Sequence, residues 1–551
     1  MSQRTHTADA PPRAADPGMS GEAKAVSTME SRLAGSALAI SAIAIGGKLC
    51  GFGEKIVVAK YFGATGASDI YFAVMGMLWS AVFVAKELVH PSLLPVFSGT
   101  LAGAPGRSDG LFQKMFGWVL VVSMAGSAVV LIGAGAIVHL LLPGFDPPRA
   151  QAAASLLRGL APGAVLLSLM VVTYTCLNAR RRFAVSAMGE TGLRLIMVLG
   201  LAVLAPFWGL GSLGLIVAFA GAACLLFHMW FLPEARGMAA MRPAGPIDGE
   251  ASAVGRLIGP LVVGVALSHA NGLADNLLAS LLPPGQLSCL GYAKKIIDAV
   301  LLIGPTAVVT VVWAHASALH AERRWEEMTA LIHKTMRLLL YVSVPLSCIL
   351  IALAAPLTEW LFQRGRFDAQ AGQATAAAVA VYGLGLACFA MEGLFVYAFY
   401  AMSDTRRPVV VGAIFVFVDV GLAIVLMQRW QYLGIAAAAV LAKSGKVLLL
   451  GLLLRGKLGV AFSAGLCRFL ATLALACGIG AAAAVVCGTL AAGYAGLRWS
   501  GMTIPVSLLA GAGAFLASSG LLDMREPRSL WSLIHAALGR FLALGRATNV
   551  S

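Results

Sequence analysis

The residues of this chain that could do chemistry are charged side chains set among long apolar runs. Lys48, Glu54, Lys55, Lys60, Asp69, Lys86 and Glu87 belong to the first two runs. His269, Asn271, Asp275 and Asn276 belong to the seventh, and Lys294, Lys295 and Asp298 to the eighth. An ionisable group inside a bilayer is costly unless it faces a partner or a water-filled cavity. Lys48 and Lys55 are seven residues apart and share a helical face. Glu54 points about 100° from Lys55 and need not pair with it. Lys294 and Asp298 are four apart and can pair along a helix, which leaves Lys295 to face a cavity. These positions describe a cationic cavity suited to an anionic substrate, with Lys48, Lys55 and Lys295 as its principal cations. The structural alternative is a set of ion pairs, or lysines reaching for the interface, and the latter suits Lys60 near a helix end. Glu190 and Arg194 read as a structural i,i+4 pair. Asp275 and Asp419 are candidates for a coupling-cation or proton site, although Asp419 could instead pair with Lys443 or Lys446 in the twelfth run.

Other chemistries leave no trace. There is no GxxxxGK[ST] phosphate loop, no HExxH zinc motif and no GxSxG nucleophile elbow. The nine cysteines lie in or beside apolar segments, form no CxxC pair and have no histidine at zinc spacing. They read as small core residues. The expectation is a transporter rather than an enzyme, with no metal and no cofactor.

The elements that must position these charges follow from composition. Of 551 residues, 59% are hydrophobic and 12% charged, where soluble domains carry about 25%. That excludes a water-soluble enzyme and a disordered chain, and unbroken apolar runs exclude an alternating lipid-spanning barrel. The sequence predicts an all-α polytopic membrane protein of about fourteen transmembrane helices. They are placed near 33–62, 68–97, 113–142, 151–178, 184–207, 211–233, 254–282, 287–318, 328–358, 370–402, 408–427, 432–454, 465–492 and 502–522. The gaps after even-numbered spans hold 13 basic residues, among them Arg180, Arg181, Arg182, Arg406 and Arg407, and the odd gaps hold 5. The positive-inside rule then puts both termini in the cytoplasm. The net charge of +15 is thus topological first, facing anionic lipid, and is no sign of nucleic acid.

An internal repeat is visible at an offset of about 220 residues. Ser31 to Gly35 resembles Gly255 to Gly259, and Ala59, Phe72 and Ala73 match Ala279, Tyr292 and Ala293. The basic loop after span four echoes that after span ten. Six spans per repeat give both halves one orientation, hence two pseudo-symmetric six-helix lobes with a cavity between them and two extra C-terminal helices. The expected organisation is a disordered cytoplasmic tail (1–29), an N-lobe (30–236), a cytoplasmic linker (237–252), a C-lobe (253–457), spans thirteen and fourteen (458–523) and a cytoplasmic tail (524–551). That last tail can be written as an interfacial amphipathic helix or as a frayed end.

Residues 47–73, GKLCGFGEKIVVAKYFGATGASDIYFA, resemble the opening of the MviN/MurJ lipid II flippase family. That pattern is roughly an Arg, then GF-x-R-D, then A-R-x-FGAG-x-x-x-D-A-F. The resemblance continues through Arg158 and Pro162, through Leu177, Asn178 and Arg182 to Val185, and through Asp275, Ala279, Ser280, Gly285, Tyr292 and Ala293. It also takes in LFQRGRFD at 361–368 and Ala398 to Tyr400 with Asp404, Thr405, Arg406 and Pro408. It covers about residues 31–460. It implies membership of the multidrug/oligosaccharidyl-lipid/polysaccharide exporter superfamily and a V-shaped pair of lobes around a basic cavity. The implied cargo is an undecaprenyl-pyrophosphate-linked glycolipid, the peptidoglycan precursor lipid II, moved across the bacterial inner membrane. Cell-wall synthesis proteins are the further partners it suggests. The other readings are a flippase for another lipid-linked oligosaccharide, such as an exopolysaccharide unit, and a non-transporting envelope-assembly protein.

The family's pyrophosphate-binding arginines in spans one, two and eight align here with Lys48, Lys55, Lys60, Val82 and Lys295, and its Arg-Asp pair becomes Glu54-Lys55. Asp69 and Glu87 keep their places. The substrate-binding set implied is therefore Lys48, Lys55, Asp69, Lys86, Glu87 and Lys295, with Lys86 standing one turn beyond Val82 as a substitute for the missing charge.

Overall fold

The computed structural model describes residues 42–103, 107–235, 249–303, 305–458, 464–495, 503–522 and 524. The tail at 1–29, the Ser31 to Gly35 repeat segment and nearly all of the tail at 524–551 lie outside the described residues, as does most of the linker. Within them the regular structure is helical. The first half holds α1 (42–62), α2 (Gly66–Gly103), α3 (Ser108–Leu141), α4 (Pro147–Ala179), α5 (Phe183–Trp208) and α6 (Ser212–Trp230). The second holds α7 (Gly249–Ser280), α8 (Gln286–Ile303), α9 (Pro305–Ala321), α10 (Trp325–Ala352), α11 (Ala354–Phe362), α12 (Ala369–Leu384), α13 (Leu386–Ala401), α14 (Arg406–Trp430) and α15 (Tyr432–Leu458). A hairpin of α16 (Ala464–Ala495) and α17 (Thr503–Leu521) packs against α10.

Nine stretches of the described residues are long and apolar enough to cross a membrane, or eleven if two bent pairs each count as one span. One of the nine, Phe183–Phe231, is 49 residues long and contains both α5 and α6. The fourteen predicted stretches all contain helix; α1 and α8 fall outside the nine because each carries at least three charges. Ile132 on α3 is 87% exposed and Phe417 on α14 74%. Such surface is costly in water and ordinary against acyl chains.

The apolar core joins many helices of both halves at one end, whereas at the other α7 is the second-half helix that reaches the first-half cluster. One cluster joins the C-terminal parts of α1 and α5 and the start of α2 to α8, α12 and the start of α15. At the other end there are two separate clusters. One is built from α2, α3, α4 and α6 with Val254 of α7, the other from α9, α10, α13, α15, α16 and α17. The joined end carries the odd-numbered gaps. There Asp69 is buried and accepts from the backbone amides of Gly285 (2.6 Å) and Ser288 (2.8 Å), so it caps α8 from the first turn of α2. Those amides have no partner within their own helix and need one when buried. Gly285 has φ +93°, and a side chain there would overlap the Ala64 carbonyl. The Tyr292 hydroxyl donates to the Gly63 carbonyl (2.9 Å), and the Arg366 amide to that of Lys60 (2.9 Å). Tyr292 also packs against Phe72, Phe362 and Phe367.

The repeat seen in the sequence has structural counterparts. Phe72 and Tyr292, which the offset pairs, are in edge contact at 4.8 Å between ring centroids. The loops after α4 and α13 end in the same turn. Arg181 (φ 58°) and Ser403 (φ 57°) are left-handed, closed by Arg182 N to Leu177 O (2.9 Å) and Asp404 N to Phe399 O (3.0 Å). Each loop is tied to the end of its half by an ion pair of opposite polarity: Arg180 to Glu234, in the turn beyond α6, at 2.6 Å, and Asp404 to Lys457, in the last turn of α15, at 2.7 Å. The hydrogen bond from Lys457, with Arg407 nearby, holds the Asp404 carboxyl below the usual carboxylate range.

Replacing Asp69 by Ala strands two buried amides, at about 1–3 kcal/mol each. The thermal midpoint of detergent-solubilised Asp69→Ala should fall by several degrees, whereas exposed Lys60→Ala should leave it within about a degree.

Candidate functional site

A cavity of about 250 Å³ lies among α1, α2, α4 and α5. Lys48 from α1, Trp79, Val82, Phe83 and Lys86 from α2, Met170 and Tyr174 from α4, and Glu190, Thr191 and Arg194 from α5 line it. Glycine brings α1 close to α5. A side chain at Gly47 would meet Thr191, and one at Gly51 would lie 3.1 Å from Arg194 Nη1. Gly47 and Gly51 form a GxxxG step, the spacing that lets two helices approach in lipid.

Pairing inside and beside this cavity differs from what helical spacing alone suggests. Glu190 turns across to Lys86 on α2, not to Arg194 on its own helix. Lys86 Nζ also sits 4.2 Å above the Tyr174 ring. The Arg194 guanidinium lies 5.4 Å from the Trp79 ring. Among the described residues neither Lys48 nor Arg194 has a carboxylate partner. Lys86, expected to replace the charge missing at Val82, spends its charge on Glu190.

Lys55 and Glu54 do pair, at 3.3 Å. Both are buried and converge on Tyr71, whose hydroxyl accepts from Lys55 and donates to Glu54. Long side chains reaching one phenol override the 100° between their Cα–Cβ directions. Lys55 is thereby enclosed, not presented to a cavity. Asp69 is enclosed too, with both oxygens occupied at the α8 cap. Glu87 is exposed and lies 3.4 Å from His269 Nε2, bridging α2 to α7.

In the second half, Lys294 reaches Asp275 on α7 (3.5 Å) rather than Asp298, and it is Lys295 that meets Asp298 (3.1 Å). Lys295 thus carries a partner, although that pair is half exposed. Asp419 is buried, takes a hydrogen bond from Asn271 on α7 (2.9 Å), and has its other oxygen without a hydrogen-bond partner among the described residues. The expected pairing of Asp419 with span twelve is not made. Lys443 and Lys446 both go to Glu392 on α13, at 3.1 and 2.6 Å. Sequence reasoning overlooked Glu392, a lone carboxylate in an apolar run, and put Arg194 in the wrong pair. The charge pattern of α2 and α5 taken together, Lys86 facing Glu190, was the available signal. Among the described residues no three His, Cys, Asp or Glu side chains converge as a metal site.

The architecture is an all-helical polytopic membrane fold, and it is shared with solved membrane transporters. A solved structure titled lipid II flippase MurJ, inward closed conformation, superposes with TM-score 0.73 over 88% of this chain and 98% of that one, at 17% identity. An inward-facing multidrug resistance transporter of the MATE family superposes with TM-score 0.63 over 77% of this chain and 98% of its own, at 13% identity. In sequence, the family model described as lipid II flippase MurJ matches residues 58–497. The probable lipid II flippase MurJ of Vibrio cholerae is 24% identical over 424 residues, covering 75% of this chain and 81% of that protein. The lipid II flippase MurJ of Burkholderia cenocepacia is 23% identical over 389 residues, covering 68% and 74%. The chain belongs to the MurJ family.

In a background stripped of native cysteines, Lys48→Cys and Lys295→Cys should react with a water-soluble thiol reagent. Lys55→Cys should react at least about tenfold more slowly, since exclusion from water lowers thiolate formation and access. Comparable labelling rates for all three would contradict the placement of Lys55.

Proposed function

We propose that the chain is a flippase that moves an undecaprenyl-pyrophosphate-linked peptidoglycan precursor, lipid II, from the inner to the outer leaflet of the bacterial inner membrane by alternating access. The observation that carries this reading is the pairing of two features. The halves share a core at the odd-gap end and split into separate cores at the other. A cavity with unpaired cations lies within the first half. With both termini and the even gaps in the cytoplasm, the split end is the cytoplasmic one, and the arrangement is inward-facing. A pyrophosphate entering there meets Lys48 at the exposed edge of the cavity. Lys295 on α8 meets it from the facing half, exchanging Asp298 for the substrate. Its prenyl chain stays in the bilayer. Rocking of the halves would release the joint at Asp69 and Tyr292 and close the cytoplasmic end. Asp275 and Asp419, both on the α7–α14 contact, are the candidates for coupling to a cation. The relatives named above lend the substrate class.

Lysines at positions where the family pattern has arginine favour one second reading. A point charge binds phosphate without the fixed fork of a guanidinium, which suits a different undecaprenyl-linked glycan.

Complementation of a strain depleted of its lipid II flippase tests both. Wild type should restore growth, and Lys48→Ala and Lys295→Ala should fail while inserting at normal levels. Loss of an exported polysaccharide without rescue selects the second reading.

A further inference from the structure

The cavity among α1, α2, α4 and α5 holds a feature that neither the aligned motifs nor helical spacing points to. Of its three cations, Lys86 is neutralised by Glu190, and Lys48 is a point charge at the exposed edge. Arg194 is the only guanidinium among the residues that line it. Three observations bear on its use. Glu190, one turn earlier on the same helix, is committed to Lys86, so Arg194 has no carboxylate partner among the described residues. Its guanidinium carbon lies over the Trp79 ring, 5.4 Å from the centroid, within cation–π range. Gly51 faces Nη1 at 3.1 Å from where a Cβ would stand, so α1 leaves room for the guanidinium. Val82, where the family pattern places its span-two arginine, lines the same cavity from α2.

We propose that Arg194 on α5 is a specificity-determining residue that binds two oxygens of the lipid-linked pyrophosphate, supplying from α5 the guanidinium that Val82 lacks. The proposal rests on the flippase reading and adds to it the atom-level recognition of the anion. A guanidinium offers two parallel N–H donors to a phosphate, and Lys48 then neutralises the second phosphate as a point charge. The guanidinium would then come from α5 in place of α2.

The test is binding of undecaprenyl pyrophosphate to the full chain in lipid nanodiscs, with uncharged undecaprenol and inorganic pyrophosphate as the comparison ligands. Arg194→Gln should weaken the lipid pyrophosphate roughly tenfold or more and leave undecaprenol unchanged, as loss of a charge-assisted bidentate contact predicts. Arg194→Lys keeps the charge and volume but should remain severalfold weaker. The exchange Val82→Arg with Arg194→Val returns a guanidinium to the cavity and should recover most of the affinity. Inorganic pyrophosphate in large excess should leave the lipid bound. Displacement at equal concentration would make the site one for the free anion and overturn the lipid assignment. Wild-type affinity in Arg194→Gln, or equal affinity in Arg194→Lys and wild type, overturns the proposal while leaving the flippase reading standing. If Arg194→Gln does not fold, Arg194→Lys and the exchange decide it. Failure of the wild type to bind any polyprenyl pyrophosphate removes the flippase reading and the proposal with it.

Discussion

The carboxylate of Asp69, accepting two amides at the start of α8, is the contact on which the relation of the two halves depends. A helix that begins inside an apolar core must have its first amides satisfied by something other than water. Here the acceptor comes from the other half of the molecule. The cap therefore fixes α8 to α2, and Tyr292, one turn further along α8, is seated on Gly63 and against Phe72 as a consequence. The large core cluster that joins the two halves is built around this point. The joint is enclosed at this end, whereas at the other the core divides into two clusters. A transporter of this build has to move that joint as a unit.

Scarcity of charge has a second consequence. In a chain with 12% charged residues, several ions in the helical segments pair with an opposite charge on a neighbouring helix and not with one on their own, while buried Asp69 and Asp419 are met by amide donors instead of a cation. Glu190 prefers Lys86 to Arg194, Asp275 takes Lys294, and Glu392 gathers Lys443 and Lys446. These pairings leave a remainder among the described residues. Lys48 and Arg194 are left facing the cavity, and their availability follows from pairings made by other residues.

Some loop features recur in both halves although the residues differ. The turns at Arg181 and Ser403 share a backbone conformation although one is basic and the other polar. The ties from those loops, Arg180 to Glu234 and Asp404 to Lys457, keep their position with the charges exchanged. A Coulomb contact is indifferent to which side carries the cation, so such a swap preserves the fold.

The sequence alone determined that the chain lives in a membrane, where its helices run, and which family it resembles. These depend on the apolar fraction, on runs long enough to span and on short motifs such as FGATGASD and LFQRGRFD, all local properties. It also singled out α1, α2, α7 and α8 as the bearers of rare charges. The tertiary structure decided which of those charges are spent. Lysine, arginine and glutamate side chains are long enough to cross between helices, so their partners are set by helix rotation and packing distance, which spacing along one helix does not encode. Lys55 closes on Glu54 through Tyr71, Asp69 becomes a helix cap, and Arg194 is turned into the cavity because the GxxxG step of α1 makes room for it.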